Sequence, residues 1–293
     1  MTRVLVVGVA VVDYVFFVDN FPTEGAKYRA KDSAIVGGGC AANAAVAIAK
    51  LGGEALLSAR LGQDPVGDMI VNDLERDGVD LSLCDRSGDR SSFSSVFVDA
   101  SGERMIMNYR GAGLTQSTDH MKAAPEVSTV LADTRWSEGA LAAMELAKAR
   151  GVPGILDVEA PAEPDAFAPA SHLAFSLQGL SSFFPGRDPG EALKDCVDTY
   201  GGWVCVTLGP DGVLFRGPGG EGHVPGYRVE AVDTLGAGDV WHGAFALKLA
   251  EGATETDAIR FASAVAAIKC TRRGGRAGTP TRAETEHFMK ERA

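Results

Sequence analysis

A carboxylate at the start of a glycine-rich helix is the feature of this sequence best suited to chemistry. The run Asp233-Thr234-Leu235-Gly236-Ala237-Gly238-Asp239 leads directly into an apolar helical pattern over 240–247. Small residues leave the first N–H groups of a helix free to meet an anion, and the helix dipole adds partial positive charge there. Asp239 could accept the proton of a hydroxyl that attacks a bound phosphoryl group. The alternative is an acidic residue that only stabilises the helix dipole.

A second glycine-rich loop and an isolated carboxylate could bind a polyhydroxylated substrate. The loop, residues 36–40, opens a helix but has neither the G-K-[ST] end of a Walker loop nor the dinucleotide-binding pattern. Gly38 and Gly39 would allow close backbone approach, and Asn43 offers both an acceptor and donors. Asp13, at the exit of the first apolar run, needs polar partners that paired hydroxyls would supply. A tight turn and an Asp that caps a turn are the structural alternatives.

Apolar runs and helical patterns alternate along the chain and predict the framework that holds these residues. Continuous rather than alternating apolarity indicates strands that are covered on both faces. The runs lie at 4–7, 130–132, 154–156, 173–175 and 204–206. The helical patterns lie at about 41–51, 66–76, 139–150, 190–199, 237–250 and 255–269. This alternation predicts an α/β fold with a doubly wound, mostly parallel sheet.

Two stretches, at about 14–35 and 91–109, break this rhythm. Their apolar residues alternate roughly in period two, and the second stretch turns at Ala100-Ser101-Gly102. We expect them to pair in a small antiparallel β lid over one end of the main sheet, within a single domain of residues 1–293. Ordinary edge hairpins of one sheet are the alternative.

Length, charge and cysteine usage limit the classes of function. The chain has 293 residues and a formal net charge of −11, which disfavours a broad nucleic-acid or acidic-membrane surface. Its five cysteines are odd in number and scattered, which predicts reduced thiols rather than a disulfide or zinc framework. We see no cleavable signal and no apolar run of transmembrane length. We therefore expect a cytoplasmic protein without nucleic-acid or membrane partners.

The run from 233 to 239 resembles the second signature of ribokinase-like (PfkB-type) carbohydrate kinases, D-T-x-G-A-G-D, without substitution. The loop at 36–45 is similar to the first signature of that family. The resemblance implies a ribokinase-like fold and an ATP-dependent kinase in which Asp239 is the catalytic base. The backbone implied to bind the γ-phosphate is that of Gly236, Ala237 and Gly238. The residues implied to bind the sugar are Asp13, Gly38, Gly39 and Asn43.

The resemblance to ribokinase-like kinases also implies which residues bind the nucleotide and which metal ions accompany it. The segment 206–212 resembles the nucleotide-phosphate segment of these kinases, and the implied contacts are Thr207, Gly209 and Gly212. Magnesium is expected with ATP. The family usually carries N-x-x-E after the strand at about 173–176, but residues 176–179 read S-L-Q-G, so the residue that orders magnesium is unknown. The family also places a monovalent cation beside the signature loop, which would involve Asp233.

Local strings across nearly the full length, such as 131–136, resemble the sulfofructose kinase branch of the family. This implies phosphorylation of 6-deoxy-6-sulfofructose at O1 and a sulfonate site made by Lys27, Asn108 and Arg135. Lys27 and Asn108 fall on the two lid stretches, and Arg135 follows a core strand, where open α/β sheets bind ligands. One Arg, one Lys and one amide can satisfy a sulfonate with charge-assisted hydrogen bonds. Each could instead be a solvated charge, a turn former or the partner of a nearby acid.

Other functions remain consistent with the sequence. The acceptor could be fructose, ribose or a hexose phosphate, and a nucleoside kinase is a further alternative. The missing N-x-x-E raises the alternative of a non-catalytic sugar-binding regulator, against which the intact Asp239 argues. An exposed lid sheet also predicts a homodimer.

Overall fold

The computed structural model describes residues 2–292 of the chain. The strands are β1 (Arg3–Gly8), β2 (Val11–Phe17), β3 (Asp32–Gly38), β4 (Glu54–Gly62), β5 (Asp85–Gly88), β6 (Phe93–Val98), β7 (Arg104–Tyr109), β8 (Thr129–Asp133), β9 (Gly154–Val158), β10 (His172–Ser176), β11 (Trp203–Thr207), β12 (Val213–Gly217) and β13 (Gly220–Val224). The α-helices are α1 (Cys40–Lys50), α2 (Pro65–Arg76), α3 (Ser137–Arg150), α4 (Leu177–Phe183), α5 (Pro189–Tyr200), α6 (Ala237–Ala250), α7 (Glu255–Cys270) and α8 (Arg282–Lys290).

A nine-stranded sheet forms the centre of the molecule, in the order β13-β12-β11-β10-β9-β8-β1-β4-β5. Strands β11 to β5 in this order are parallel, and β12 and β13 add an antiparallel hairpin at one edge. Val4 and Val6 of β1 pack on the side of α1, α6 and α7, whereas Leu5 and Val7 pack on the side of α3 and α5. Strands covered on both faces are apolar throughout, and the predicted doubly wound α/β fold is confirmed.

The direction of chain winding reverses beside β1. Its parallel neighbours are β4 on one side and β8 on the other, so the carboxyl ends of β1 and β8 meet at one edge of the sheet. Open α/β sheets bind ligands in the crevice at such a switch point. Gly8 and Asp133, the last residues of these strands, therefore lie where a site is expected.

A second, smaller sheet has the order β3-β2-β6-β7. The two stretches that broke the α/β rhythm supply its strands. Strands β2 and β3 pair antiparallel, as do β6 and β7, while β2 and β6 run parallel. Ile35 and Met107 remain largely exposed on this sheet, at 60% and 74%. The homodimer that we expect through this sheet stays a prediction.

All five cysteines are free thiols. Burial raises the pKa of Cys196 to about 12, so this thiol is unreactive near neutrality. Within residues 2–292, each helix is too short or too polar to cross a membrane.

Candidate active site

A cavity of about 760 Å³ opens at the carboxyl edge of the parallel strands. This volume lies in the usual range for small-molecule sites. The predicted site residues in its wall are Asp13, Gly39, Asn43, Asn108, Arg135, Gly236 and Asp239. The predicted residues that the structure does not bring to this wall are Lys27, Gly38, Thr207, Gly209, Gly212, Ala237 and Gly238.

The signature loop turns into α6 through a left-handed glycine. Gly236 has φ 72° and forms the N-cap, and a Cβ at this position would lie 3.1 Å from Nδ2 of Asn43. The N–H of Ala237 donates to the carbonyl of Thr234 at 3.2 Å, so it is engaged within the turn. The N–H groups of Gly238 and Asp239 belong to the first helical turn, where no intrahelical acceptor is available. They are the donors best placed to receive an anion.

The carboxylate of Asp239 is held by a neighbouring helix start. Nδ2 of Asn43, in the first turn of α1, donates to Oδ2 of Asp239 at 2.7 Å. Burial and the charge of Asp157 raise the pKa of Asp239, and the bond from Asn43 only partly offsets them. A raised pKa brings this carboxylate closer to the proton affinity that general-base catalysis at neutral pH requires.

A buried acid and imidazole pair lies behind Asp239. Nδ1 of His242 is 3.1 Å from Oδ2 of Asp157, and both side chains are almost fully buried. Burial opposes protonation of His242, but the charge of Asp157 raises its pKa above the usual value. The pair therefore balances much of the charge of Asp157 in the interior. His242 does not line the cavity, in agreement with the structural role that its sequence position suggested.

Asp133 joins three chain segments at the switch point. Its Oδ2 accepts from the N–H of Val9 at 2.8 Å and of Ala41 at 3.1 Å, and its Oδ1 accepts from the N–H of Arg135 at 2.9 Å. Gly8, at φ 148°, leaves the space that this carboxyl group fills. Burial raises the pKa of Asp133 to about 6. Asp133 was not among the site residues predicted from the sequence; an acidic residue at the end of an apolar strand is the signal that could have identified it.

The sugar-binding residues predicted from the first glycine loop form a polar group on one wall. Asp13, in β2, is 9% exposed. Gly38 lies against it, and a Cβ at Gly38 would overlap the carboxylate of Asp13. Nδ2 of Asn108 donates to Oγ of Ser94 at 3.1 Å. Burial raises the pKa of Asp13, and the neighbouring Ser94 only partly offsets this effect. Oδ1 of Asn43 is buried, and no group among residues 2–292 donates a hydrogen bond to it.

Three arginines, Arg60, Arg110 and Arg135, line the same cavity. Nη1 of Arg60 donates to the carbonyl of Thr115 at 3.1 Å, and its guanidinium lies 4.6 Å from the ring centre of Trp136. Arg135 donates to the carbonyl of Ala160 at 3.0 Å and keeps a long contact of 4.0 Å to a carboxylate. Of the three, only Arg135 was predicted from the sequence.

The remaining predicted contacts lie elsewhere on the surface. Lys27 is exposed in the segment between β2 and β3. Thr207 ends β11, and Gly209 and Gly212 form the turn to β12 with φ of 59° and 96°. A Cβ at Gly212 would overlap the carbonyl of Val224, so this glycine is required by the turn itself. Nucleotide binding by this segment stays a prediction.

The described residues bring Cys40, Asp157 and Asp239 together, with one donor atom of each within 4.8 Å of the others. Magnesium prefers oxygen donors in octahedral geometry. Burial and the charge of Asp239 raise the pKa of the Cys40 thiol well above its usual value, so it offers a neutral sulfur. Asp157 already faces His242 and Asp239 already binds Asn43. This cluster does not fit a resident magnesium ion.

The segment that lacks the family's glutamate also has a structural role. Oγ of Ser176 accepts from the N–H of Gly179 at 2.9 Å and caps α4. Between them lie Leu177, which is apolar, and Gln178, which is uncharged. We therefore assign no metal-ordering residue to this segment.

This chain is similar to known proteins both in sequence and in structure. Residues 1–282 match the model of the pfkB family carbohydrate kinases. A ribokinase of Bacillus subtilis is 30% identical over 297 residues, covering 99% of this chain and 100% of the relative. A fructokinase of Oryza sativa is 30% identical, covering 86% of this chain and 88% of the relative. The structure of an Arabidopsis thaliana ribokinase complexed with ribose and ATP superposes with a TM-score of 0.89 at 26% identity, covering 99% and 98% of the two chains.

Proposed function

The chain belongs to the pfkB family of carbohydrate kinases, and we propose that it phosphorylates O1 of 6-deoxy-6-sulfofructose with ATP. The observation that carries the kinase chemistry is the position of Asp239. Its carboxylate lies in the cavity wall, at the first turn of α6, and is oriented by the 2.7 Å bond from Asn43. A base and free N–H donors that converge at one place suit the transfer of a phosphoryl group to a substrate hydroxyl.

The chain's own groups account for each part of the transfer. Asp239 accepts the proton of the attacking hydroxyl while the new O–P bond forms. The bond from the γ-phosphorus to its bridging oxygen breaks, and ADP leaves with that electron pair. ATP enters as its magnesium complex, so the metal arrives with the substrate. The N–H groups of Gly238 and Asp239 offset negative charge on the transferring group without reorganisation.

The arginines in the cavity support an anionic end on the sugar. The cavity wall holds three arginines and three carboxylates, so it carries no net formal charge although the chain as a whole carries −11. A sulfonate spreads one negative charge over three oxygens, and guanidinium and amide donors satisfy it well. Arg135 and Asn108 lie in the wall as the sulfonate assignment requires, and Arg110 adds a cation. Lys27 could take part only if its exposed segment moved inward.

A neutral sugar is the second candidate. Its support is that similar proteins are described as ribokinase and fructokinase. Arg135 already donates to the carbonyl of Ala160 and lies 4.0 Å from Oε2 of Glu159. An arginine with these partners can shape the wall without binding an anion.

Steady-state kinetics with 6-deoxy-6-sulfofructose, fructose 6-phosphate, fructose and ribose distinguish these candidates. We expect the highest kcat/KM for the sulfosugar. Arg135→Met should lower that value about 10- to 100-fold, as for lost hydrogen bonds to a charged group, and leave the value for fructose unchanged. Lys148→Met is the matched control, because it removes an exposed positive charge of α3 outside the cavity and should leave both values unchanged. Equal kcat/KM for sulfosugar and fructose would refute the sulfonate assignment.

A further inference from the structure

The first residue of the signature loop is enclosed by donors. Oδ1 of Asp233 accepts from the N–H of Leu235 at 2.8 Å, and Oδ2 accepts from the N–H groups of Gly274 and Gly275 at 3.0 Å each. Burial alone would raise the pKa of Asp233, but these bonds and the charge of Lys269 lower it below the usual value. Asp233 is therefore an ionised anchor between the signature loop and the segment after α7.

A buried ammonium group contacts the same residue. Nζ of Lys269 donates to the main-chain carbonyl of Asp233 at 2.7 Å and lies 3.6 Å from its Oδ1. The side chain of Lys269 is 0% exposed. A fully buried lysine is rare unless it is paired, and Asp233 is the carboxylate that pairs with this one. Burial lowers the pKa of Lys269, and the charge of Asp233 opposes that effect.

The monovalent cation that the family resemblance implies does not fit beside this lysine. Such an ion would take carbonyl and carboxylate oxygens of Asp233 as ligands. Nζ of Lys269 already contacts both of these groups. An ammonium group and a potassium ion are similar in size and carry the same charge. A second cation at this distance would add like-charge repulsion inside the protein.

We propose that Lys269 replaces a monovalent cation at the signature loop, so that this kinase works without potassium. The proposal rests on the proposed kinase function, and Lys269 acts as a positioning residue that touches neither sugar nor nucleotide. It lies in the last turn of α7, where the carbonyl of Cys270 also accepts from the N–H groups of Val232 and Asp233 at 2.7 and 3.1 Å. The ammonium group of Lys269 is covalently attached to α7 and keeps Asp233 in place. Because Asp233 is fixed, the loop between it and α6 keeps the anion-binding N–H groups oriented.

Two substitutions of Lys269 separate its charge from its volume. Lys269→Ala removes the ammonium and leaves a space that a small cation can enter, whereas Lys269→Met removes the charge and keeps the space filled. Lys50→Ala is the control. Nζ of Lys50 donates to the carbonyl of Ala277 at 3.0 Å, in the segment after α7 that also holds Gly274 and Gly275, but it does not contact Asp233. Activity and melting temperature are measured in potassium, ammonium and tetramethylammonium chloride at equal ionic strength.

We expect the wild-type protein and Lys50→Ala to show the same kcat in all three salts. Lys269→Ala should lose about 10- to 100-fold in kcat in tetramethylammonium, and potassium or ammonium should restore activity and raise its melting temperature. Lys269→Met should show the loss without the restoration. Potassium activation of the wild type, full activity of Lys269→Ala in tetramethylammonium, or a loss in folded Lys269→Ala that no cation restores would each overturn the proposal.

Rubidium soaking gives a readout that does not depend on activity. Anomalous diffraction should show no rubidium at Asp233 in wild-type crystals, and a rubidium peak there would overturn the proposal even if Lys269→Ala does not fold. If the wild type phosphorylates no sugar in any salt, the proposed function fails, and the rubidium result still decides the role of Lys269.

Discussion

Replacement of Asp239 by asparagine is the most direct perturbation of the proposed chemistry. The amide has the same shape, and its carbonyl oxygen can still accept the 2.7 Å bond from Nδ2 of Asn43. What disappears is the group that takes the proton of the attacking hydroxyl. General-base catalysis contributes about 10²- to 10⁴-fold, so Asp239→Asn should lower kcat by that factor, or about 3–5 kcal/mol in activation free energy.

Stability should move in the opposite direction to activity. Burial and the charge of Asp157 raise the pKa of Asp239, so ionised Asp239 is held at a cost in folding free energy. A neutral amide removes that cost, and the melting temperature of Asp239→Asn should equal or exceed that of the wild type. A merely structural aspartate would instead lose stability when it is replaced.

The assay is ADP release coupled to NADH oxidation, with sugar and ATP both saturating and the pH varied. The wild-type rate should fall as the pH drops through the raised pKa of Asp239, since the protonated acid cannot accept a proton. The residual rate of Asp239→Asn should lack this acidic limb. Undiminished turnover in the folded variant would show that Asp239 is not the base.

Two further perturbations test the framework of the site. The pKa of Asp133 is about 6, against an ordinary value of 3.8. Between these two pH values the folded protein keeps a proton on Asp133 that the unfolded chain releases. The free energy of unfolding should therefore fall by roughly 3 kcal/mol as the pH rises from about 4 to about 6. Asp133→Asn should remove this slope in urea unfolding, and an unchanged slope would contradict the assignment. Nη2 of Arg104, in β7, donates to Oγ1 of Thr234 at 2.7 Å and so links the small sheet to the signature loop. Arg104→Met should raise KM about fivefold with little change in kcat; unchanged KM values would show that this link does not assist binding.

The parts of the fold that sequence predicted are those in which a single segment determines its own structure. Five central strands are covered on both faces, so their continuous apolar runs identify them directly. Strand β4 was missed because Ser58 and Arg60 interrupt its apolar run, and both turn out to have partners far along the chain, His120 and Gln116. The β13 strand was missed because Gly220 and Gly222 dilute its pattern.

The residues of the site divide in the same way, into those that a local motif predicts and those that only tertiary packing brings into place. The loop at Asp239 is a local motif, and Asn43 lies in the first turn of a helix that follows a glycine-rich loop, so both could be found in the sequence. Lys269 ends an apolar helix and looks there like an ordinary cation near a helix C-terminus. Its contact with Asp233 depends on how α7 packs against α6, which no local pattern records. Lys27 was the opposite case, a cation on an expected lid segment that the structure leaves outside the cavity.

The two aspartates of the signature loop show why surroundings decide a residue's role. Asp233 receives three N–H bonds and faces the ammonium of Lys269, which lowers its pKa and keeps it ionised as an anchor. Asp239 receives one amide bond and faces Asp157, and its pKa rises. Identical carboxylates in one heptapeptide thus differ in proton affinity because cations and N–H groups collect at one end and acids at the other. Only the end with the higher proton affinity is suited to take a proton from a sugar hydroxyl.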